Sequence, residues 1–227
     1  DIKTIVDIKT LLDWKTGNHI MKNILVLAPH TDDMEFGCGG TVRRLTNNGC
    51  QISLIVFSSC EESLPKGFSV DDIKNEQLNA SHCLGVSEED ITIYDFPVRR
   101  FDRHRQSILE ILIEYKNNNR VDQILTPSRT DIHQDHSVIC AEPIRAFKTT
   151  SILGYELPWN DITSNHNYFY RLSAEHIKAK EKAINCFKSQ QHRMYSAEHM
   201  ISLASVRGMQ IKSSYAEAFE LIRWIDA

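Results

Sequence analysis

The segment at residues 23–28, NILVLA, constrains the fold of this chain more than any other. It is short, almost wholly apolar and followed by Pro29. A short run without polar alternation is typical of a strand that is buried on both faces, because alternation is kept where one face meets solvent. We therefore predict a central strand of a parallel sheet.

Strand and helix patterns alternate after this segment. In chain order we predict a glycine turn at 37–40 leading into a helix that ends near Gly49, a strand at 52–58, a helix at 71–84, a strand at 91–94, a helix at 103–115 and a strand at 123–126. This order is typical of an α/β fold. We predict a Rossmann-like, open, mostly parallel, twisted sheet with helices on both faces.

The rest of the chain predicts strands at 152–157 and 168–172 and helices around 175–187 and 197–207. We interpret this part as a C-terminal helical extension of a single domain that spans residues 21–227. Residues 1–20 contain DIKT twice, and we interpret them as a leader or an added extension without functional weight.

The formal net charge is −4, and no basic run is present, which argues against a nucleic-acid partner. No apolar stretch is long enough to span a membrane, so we expect a cytoplasmic protein. Six cysteines without a CxxC pair indicate reduced thiols rather than a disulfide framework. The late apolar helices can pack internally or across a subunit interface, so a homo-oligomer is compatible with the sequence.

Two polar clusters follow predicted strands. The first contains His30, Asp32, Asp33 and Glu35, and the second contains Asp131, His133, Asp135 and His136. Either cluster alone has an ordinary explanation as a helix cap or a solvated surface group. Ligands of open α/β sheets bind outside the carboxyl ends of the strands, so we expect both clusters to lie around one point.

Imidazole nitrogens and carboxylate oxygens without nearby thiolates suit Zn²⁺ or a similar divalent ion. Three protein ligands with one open position are typical of a catalytic site, and hydrolysis is the natural use of such a site. The spacing alone does not assign the individual roles.

The motifs PHTDDMEFGCGG at 29–40, DIHQDH at 131–136 and YAEAFE at 215–220 resemble those of the PIG-L/LmbE-like family of zinc-dependent N-deacetylases. The resemblance runs from about residue 23 to residue 223. It implies one Zn²⁺ per chain and hydrolysis of the N-acetyl amide of an N-acetylglucosamine-like sugar or sugar conjugate. A small N-acetylated amino sugar is then the expected partner.

The resemblance also implies a role for each residue. His30, Asp33 and His136 ligate zinc, and Asp32 is the general base that takes a proton from the attacking water. His133, when protonated, stabilises the oxyanion, and Asp135 holds its ring and favours the imidazolium form. The alternative for His133 and Asp135 is that they only cap the following helix.

Many members of the family carry an arginine three residues before a helical glutamate, but this chain has Ile73 there. Arg99 and Arg100 are candidate replacements for that substrate contact, although a solvated pair of arginines is the more common arrangement. Glu156, Trp159 and Asn160 are further candidates, because an aromatic ring with polar groups can form a sugar subsite, while ordinary packing of the segment YELPWN at 155–160 is the equal alternative.

Two other functions compete with the deacetylase. Asp/His clusters on α/β sheets also serve metal-dependent phosphoesterases, but those sites often hold two metals and need more carboxylates. A non-catalytic module that uses its metal to hold an acyl sugar is the other alternative. It predicts that Asp32→Asn changes nothing measurable.

Overall fold

The structure is a computed structural model that describes residues 22–193 and 195–226. The predicted leader at residues 1–20 lies outside the described residues. The strands are β1 (Asn23–His30), β2 (Gln51–Ser58), β3 (Ile91–Ile93), β4 (Gln123–Pro127), β5 (Ser151–Tyr155), β6 (Tyr168–Leu172) and β7 (Tyr215–Arg223). The helices are α1 (Asp33–Asn47), α2 (Val70–Cys83), α3 (Arg105–Asn118), α4 (Gln134–Ala146), α5 (Ala174–Ile184) and α6 (Ala197–Gln210).

The strands form one seven-stranded sheet in the order β3-β2-β1-β4-β5-β7-β6. The first five strands in that order are parallel to one another, while β7 runs antiparallel to both β5 and β6. The chain moves outward from β1 to β3 and then returns to β4 on the other side of β1. The strand order therefore reverses between β1 and β4, which is where open α/β sheets bind ligands. The predicted α/β fold is confirmed.

Helices cover both faces of the sheet, as predicted. Ile24, Val26 and Ala28 of β1 pack in a core with α1, α2, α5 and α6. Leu25 and Leu27 point to the opposite face and pack with α3 and α4. Successive side chains of a strand point to opposite faces of the sheet, so the apolar residues of β1 contribute alternately to two cores. None of the helices in the described ranges is long and apolar enough to cross a membrane.

The glycine run lies inside α1, and the prediction of a turn at 37–40 was wrong. A Cβ at Gly37 would lie 2.3 Å from the ring of Tyr155, and one at Gly40 would lie 2.6 Å from Leu172. These glycines allow close packing, so they do not mark a chain reversal. The helix is nevertheless interrupted at Cys38, whose φ of −143° and ψ of 20° are not helical.

A buried ion pair satisfies the backbone groups that the interruption leaves without helical partners. The ammonium of Lys180 donates to the carbonyl of Phe36 at 2.6 Å and to the carboxylate of Glu217 at 2.6 Å. The same carboxylate accepts the backbone N–H groups of Gly40 at 3.0 Å and Thr41 at 2.6 Å. Lys180 is only 1% exposed. The pair therefore ties α5 and β7 to the middle of α1.

The C-terminal part of the chain adds two strands to the sheet as well as helices. β7 lies between β5 and β6, and its glutamates project to opposite sides. Glu220 binds the loop after β4, because its carboxylate accepts the N–H of Arg129 at 2.8 Å and the hydroxyl of Ser128 at 3.1 Å. This loop leads directly to the second polar cluster.

Candidate metal centre and active site

The two polar clusters meet at the carboxyl ends of β1 and β4. His30 is the last residue of β1, and Asp33 is the first residue of α1. His136 lies in the first turn of α4, which follows the loop after β4. Neighbouring parallel strands end at the same edge, so residues about a hundred positions apart become neighbours.

Three side-chain atoms converge on one point. Nδ1 of His30 lies 3.2 Å from Nε2 of His136. Oδ2 of Asp33 lies 3.3 Å from the first nitrogen and 3.4 Å from the second. A tetrahedral zinc site with bonds of about 2.0–2.1 Å separates its ligand atoms by about 3.3–3.4 Å. The three atoms are therefore spaced like ligands of one zinc-sized ion.

A carboxylate lies behind each of these histidines. Oδ2 of Asp135 is 3.0 Å from Nε2 of His30, and Oδ2 of Asp131 is 2.6 Å from Nδ1 of His136. We assign the ring protons to the nitrogens that face these carboxylates. That assignment leaves a lone pair of each imidazole directed at Asp33, and it is the arrangement usual for metal-binding histidines.

The electrostatics of the site favour positive charge at this point. Burial lowers the pKa of His30, but its hydrogen bonds to Asp135 and Asp33 outweigh burial and raise that pKa well above the usual value. Burial raises the pKa of Asp33, but His136 and His30 outweigh it and bring the pKa to about 2. Asp33 thus stays ionised at neutral pH. A metal cation that binds here replaces the proton on the nitrogen of His30 that faces Asp33.

Asp32 faces the cavity from a left-handed backbone conformation, with φ of 91°. Its N–H donates to Oε1 of Gln77 at 3.1 Å, and the amide nitrogen of Gln77 donates to Glu35 at 2.7 Å. Burial and the charge of Asp33 raise the pKa of Asp32 well above its usual value. Strained backbone and a raised carboxyl pKa are both common at catalytic positions.

His133 caps the N-terminus of helix α4, and the expected contact between its ring and the Asp135 carboxylate was wrong. Nδ1 of His133 accepts the backbone N–H of Asp135 at 3.1 Å. The carboxylate of Asp135 binds His30 and the backbone N–H groups of Arg99 at 2.6 Å and Phe101 at 3.3 Å. These contacts direct the carboxylate toward His30 and the loop after β3, so it does not hold the ring of His133.

The imidazolium form expected for His133 is also disfavoured. Burial lowers the pKa of His133, and the neighbouring His136 and His30 lower it further, to about 4. Since Nδ1 accepts a hydrogen bond, the neutral ring carries its proton on Nε2. His133 is therefore a neutral N–H donor at pH 7.

The centre lies at the base of a cavity of about 210 Å³. One wall is aromatic: the rings of Trp159 and Tyr195 stack with their centroids 4.0 Å apart and an angle of 7° between their planes. Phe36 meets both rings edge-on from below. A flat aromatic face of this kind suits the apolar side of a sugar ring.

Three of the five predicted substrate-binding residues line this cavity, namely Arg99, Trp159 and Asn160. The structure does not bring the other two into it. Glu156 is buried and forms an ion pair with Arg207 of α6, because its side chain leaves β5 toward that helix. Arg100 points to the exposed carboxylate of Glu62 at 4.0 Å.

Several residues of the site received no role from the sequence. Asp131 was part of the second cluster, but its position behind His136 depends on the loop geometry. Gln77 lies in the middle of α2, and Arg193 and Tyr195 lie in an irregular segment between α5 and α6. Only Asp131, five residues before His136, had a sequence signal, since a carboxylate behind a metal-binding histidine is common.

Comparison with known proteins identifies the family. Residues 25–147 match the family described as PIG-L, GlcNAc-PI de-N-acetylase, so the chain belongs to the PIG-L family. The resemblance seen in the sequence is confirmed. The uncharacterized deacetylase YaiS of Escherichia coli strain K12 is 27% identical over 175 residues, which cover 74% of this chain and 91% of YaiS.

Solved structures share the fold at lower identity. N,N'-diacetylchitobiose deacetylase from Pyrococcus horikoshii is 17% identical with a TM-score of 0.68, and the alignment covers 95% of this chain and 91% of that one. GalB, the 4-carboxy-2-hydroxymuconate hydratase from Pseudomonas putida KT2440, is 20% identical with a TM-score of 0.74, covering 91% and 98%. Since one of these is a hydratase, the fold does not fix the reaction, and the site must decide it.

Proposed function

We propose that this protein is a zinc-dependent deacetylase that hydrolyses the N-acetyl amide of an N-acetylglucosamine-like sugar or sugar conjugate. The observation that carries the proposal is the convergence of His30, Asp33 and His136 at 3.2–3.4 Å beside the cavity-facing Asp32. Membership of the PIG-L family and the deacetylases among its relatives support this reaction.

Two sets of three ligands are available for the metal. Ligand atoms of His30, His133 and His136 all lie within 4.8 Å of one another. We favour Asp33 over His133 as the third ligand, because its oxygen lies 3.3 and 3.4 Å from the other two ligand atoms and because its charge offsets that of the ion. His30, Asp33 and His136 would hold the Zn²⁺ ion, which would supply Lewis-acid polarisation of the amide carbonyl and of the attacking water.

The remaining steps use side chains of this chain. Asp32 takes a proton from the water that attacks the carbonyl carbon, because its carboxylate faces the cavity beside the three proposed ligands. Nε2–H of His133 donates to the carbonyl oxygen as negative charge develops on it. Asp32 then returns the proton to the nitrogen as the C–N bond breaks, which yields acetate and a free amine.

The proposed reaction is tested by incubating the zinc-loaded protein with a panel of N-acetylated amino sugars and their conjugates. We expect release of acetate and a free amine in equal amounts. A parallel panel of phosphate esters tests the phosphoesterase alternative. Release of phosphate without any release of acetate would overturn the deacetylase proposal.

Asp131 gives a prediction about metal affinity. Its carboxylate accepts from His136 and, at 2.8 Å, from the backbone N–H of His133. Asp131→Asn removes the charged acceptor behind His136, so we expect zinc affinity to fall about 10- to 100-fold. The measurement is competition with a chromophoric chelator.

Asp161→Asn is the matched control, because Asp161 bridges to Asp131 through the backbone but binds Thr130 with its side chain. It should retain zinc affinity within about threefold. An equal loss in both variants would mean that the loop, and not the ring of His136, is what Asp131 supports.

A further inference from the structure

Two arginines face the cavity from separate segments. Arg99 lies in the loop after β3, and Arg193 lies between α5 and α6. Both line the same cavity as His30, Asp32 and Asp33. The catalytic groups proposed above need neither of these guanidinium groups.

The partners of these two arginines are hydroxyl groups. A guanidinium nitrogen of Arg99 donates to Ser63 at 3.1 Å, and one of Arg193 donates to the hydroxyl of Tyr195. Among the ion pairs of the described residues, none includes Arg99 or Arg193. By contrast, Arg129 and Arg207 each meet a buried carboxylate.

Neutral hydrogen-bonding partners leave most of the donor capacity of both guanidinium groups available. The charge of Arg193 also acts on the carboxylate of Asp32, so an anion bound here would lie close to the catalytic groups. A guanidinium carries five N–H donors and stays protonated, and it matches the paired oxygens of a carboxylate or phosphate. Two such groups line one cavity. Because the net charge of the chain is −4, they do not belong to a generally basic surface, and they indicate a site for a specific anion.

We propose that Arg99 and Arg193 form a subsite for an oxyanion, a carboxylate or a phosphate, that the substrate carries beyond its acylated nitrogen. This inference rests on the proposed function, because it adds a substrate class to the same cavity. The preferred substrates are then anionic conjugates of an N-acetylated amino sugar, and neutral ones are poorer.

The test compares three glycosides of N-acetylglucosamine with the zinc-loaded protein. The ethyl glycoside is neutral, the carboxymethyl glycoside is its carboxylate analogue, and the 1-phosphate carries the other oxyanion. We expect Arg99→Gln and Arg193→Gln each to lower kcat/KM for one or both anionic compounds about 10- to 100-fold, mainly through KM. The loss on the ethyl glycoside should be at least tenfold smaller. Which anionic compound suffers the larger loss distinguishes a carboxylate from a phosphate.

Arg103→Gln is the matched control, since Arg103 is exposed, lies nearby in the chain and does not line the cavity. It removes the same charge and should leave the preference for anions intact. Equal losses on all three glycosides in the Arg193 variant would overturn the subsite, because they would place that arginine at the reacting centre or in the support of Asp32.

Binding of the deacetylated carboxymethyl glycoside, measured by calorimetry, separates this inference from the proposed reaction. If no glycoside releases acetate but this amine binds and both arginine variants weaken it, the subsite stands and the deacetylase proposal fails. If acetate is released but neither variant alters the binding of this amine or the preference for anions, the subsite is wrong.

Discussion

We expect the replacement of Asp32 with asparagine to leave zinc bound and to lower kcat about 10²- to 10⁴-fold, the usual contribution of a general base. Asparagine has nearly the same shape and tolerates the left-handed φ of 91° found at this position. The substitution therefore removes the proton acceptor and keeps the backbone. Steady-state kinetics and metal analysis on the same preparation measure both effects.

The Asp33→Ala variant is measured in the same way and compared with Asp32→Asn. It removes an oxygen that lies 3.3 Å from His30 Nδ1 and 3.4 Å from His136 Nε2, so we expect loss of both zinc and activity. The neighbouring carboxylates thus give different phenotypes. Equal loss of zinc in the two variants would contradict this division of roles, and full activity of Asp32→Asn would favour a non-catalytic module.

Lys180→Met gives the largest expected loss of stability. The substitution leaves the carboxylate of Glu217 buried without its cation, although two backbone N–H groups still donate to it. Breaking one side of a buried ion pair typically costs about 3–5 kcal/mol. We expect a decrease of that size in the free energy of unfolding, measured by urea denaturation.

Lys178→Met is the control, because Lys178 is an exposed residue of the same helix. It should change the free energy of unfolding by less than about 0.5 kcal/mol. The double variant Lys180→Met/Glu217→Gln removes the stranded charge and should recover part of the loss. A Lys180→Met protein as stable as the control would show that the pair contributes little.

The sequence predicted the sheet because its central strands leave a simple signal. Short apolar runs at β1, β2 and β4 are buried on both faces, and their bounds were close to those observed. β7 was missed, because Glu217 and Glu220 interrupt its pattern. Both glutamates are buried against cations that come from distant parts of the chain, Lys180 and Arg129. Only the tertiary structure supplies such partners.

The sequence predicted most of the residues that lie in the candidate site, but it did not predict all of the hydrogen bonds between them. Two polar clusters after parallel strands were enough to bring His30 and His136 together. The partner of Asp135 was not predictable, since two imidazoles lie near it and the backbone of the loop after β3 fixes its direction. Arg193 has no local pattern, and its place in the cavity follows from the packing of the segment between α5 and α6.

The position of β7 has a consequence for how the protein is made. This strand comes last among the described elements, yet it lies inside the sheet, between β5 and β6. A ribosome must therefore synthesise the chain through Arg223 before β6 can join the sheet and before Glu220 can fix the loop after β4. The nascent chain exposes an unpaired β5 edge until then, so we expect folding to finish only after this strand has left the exit tunnel.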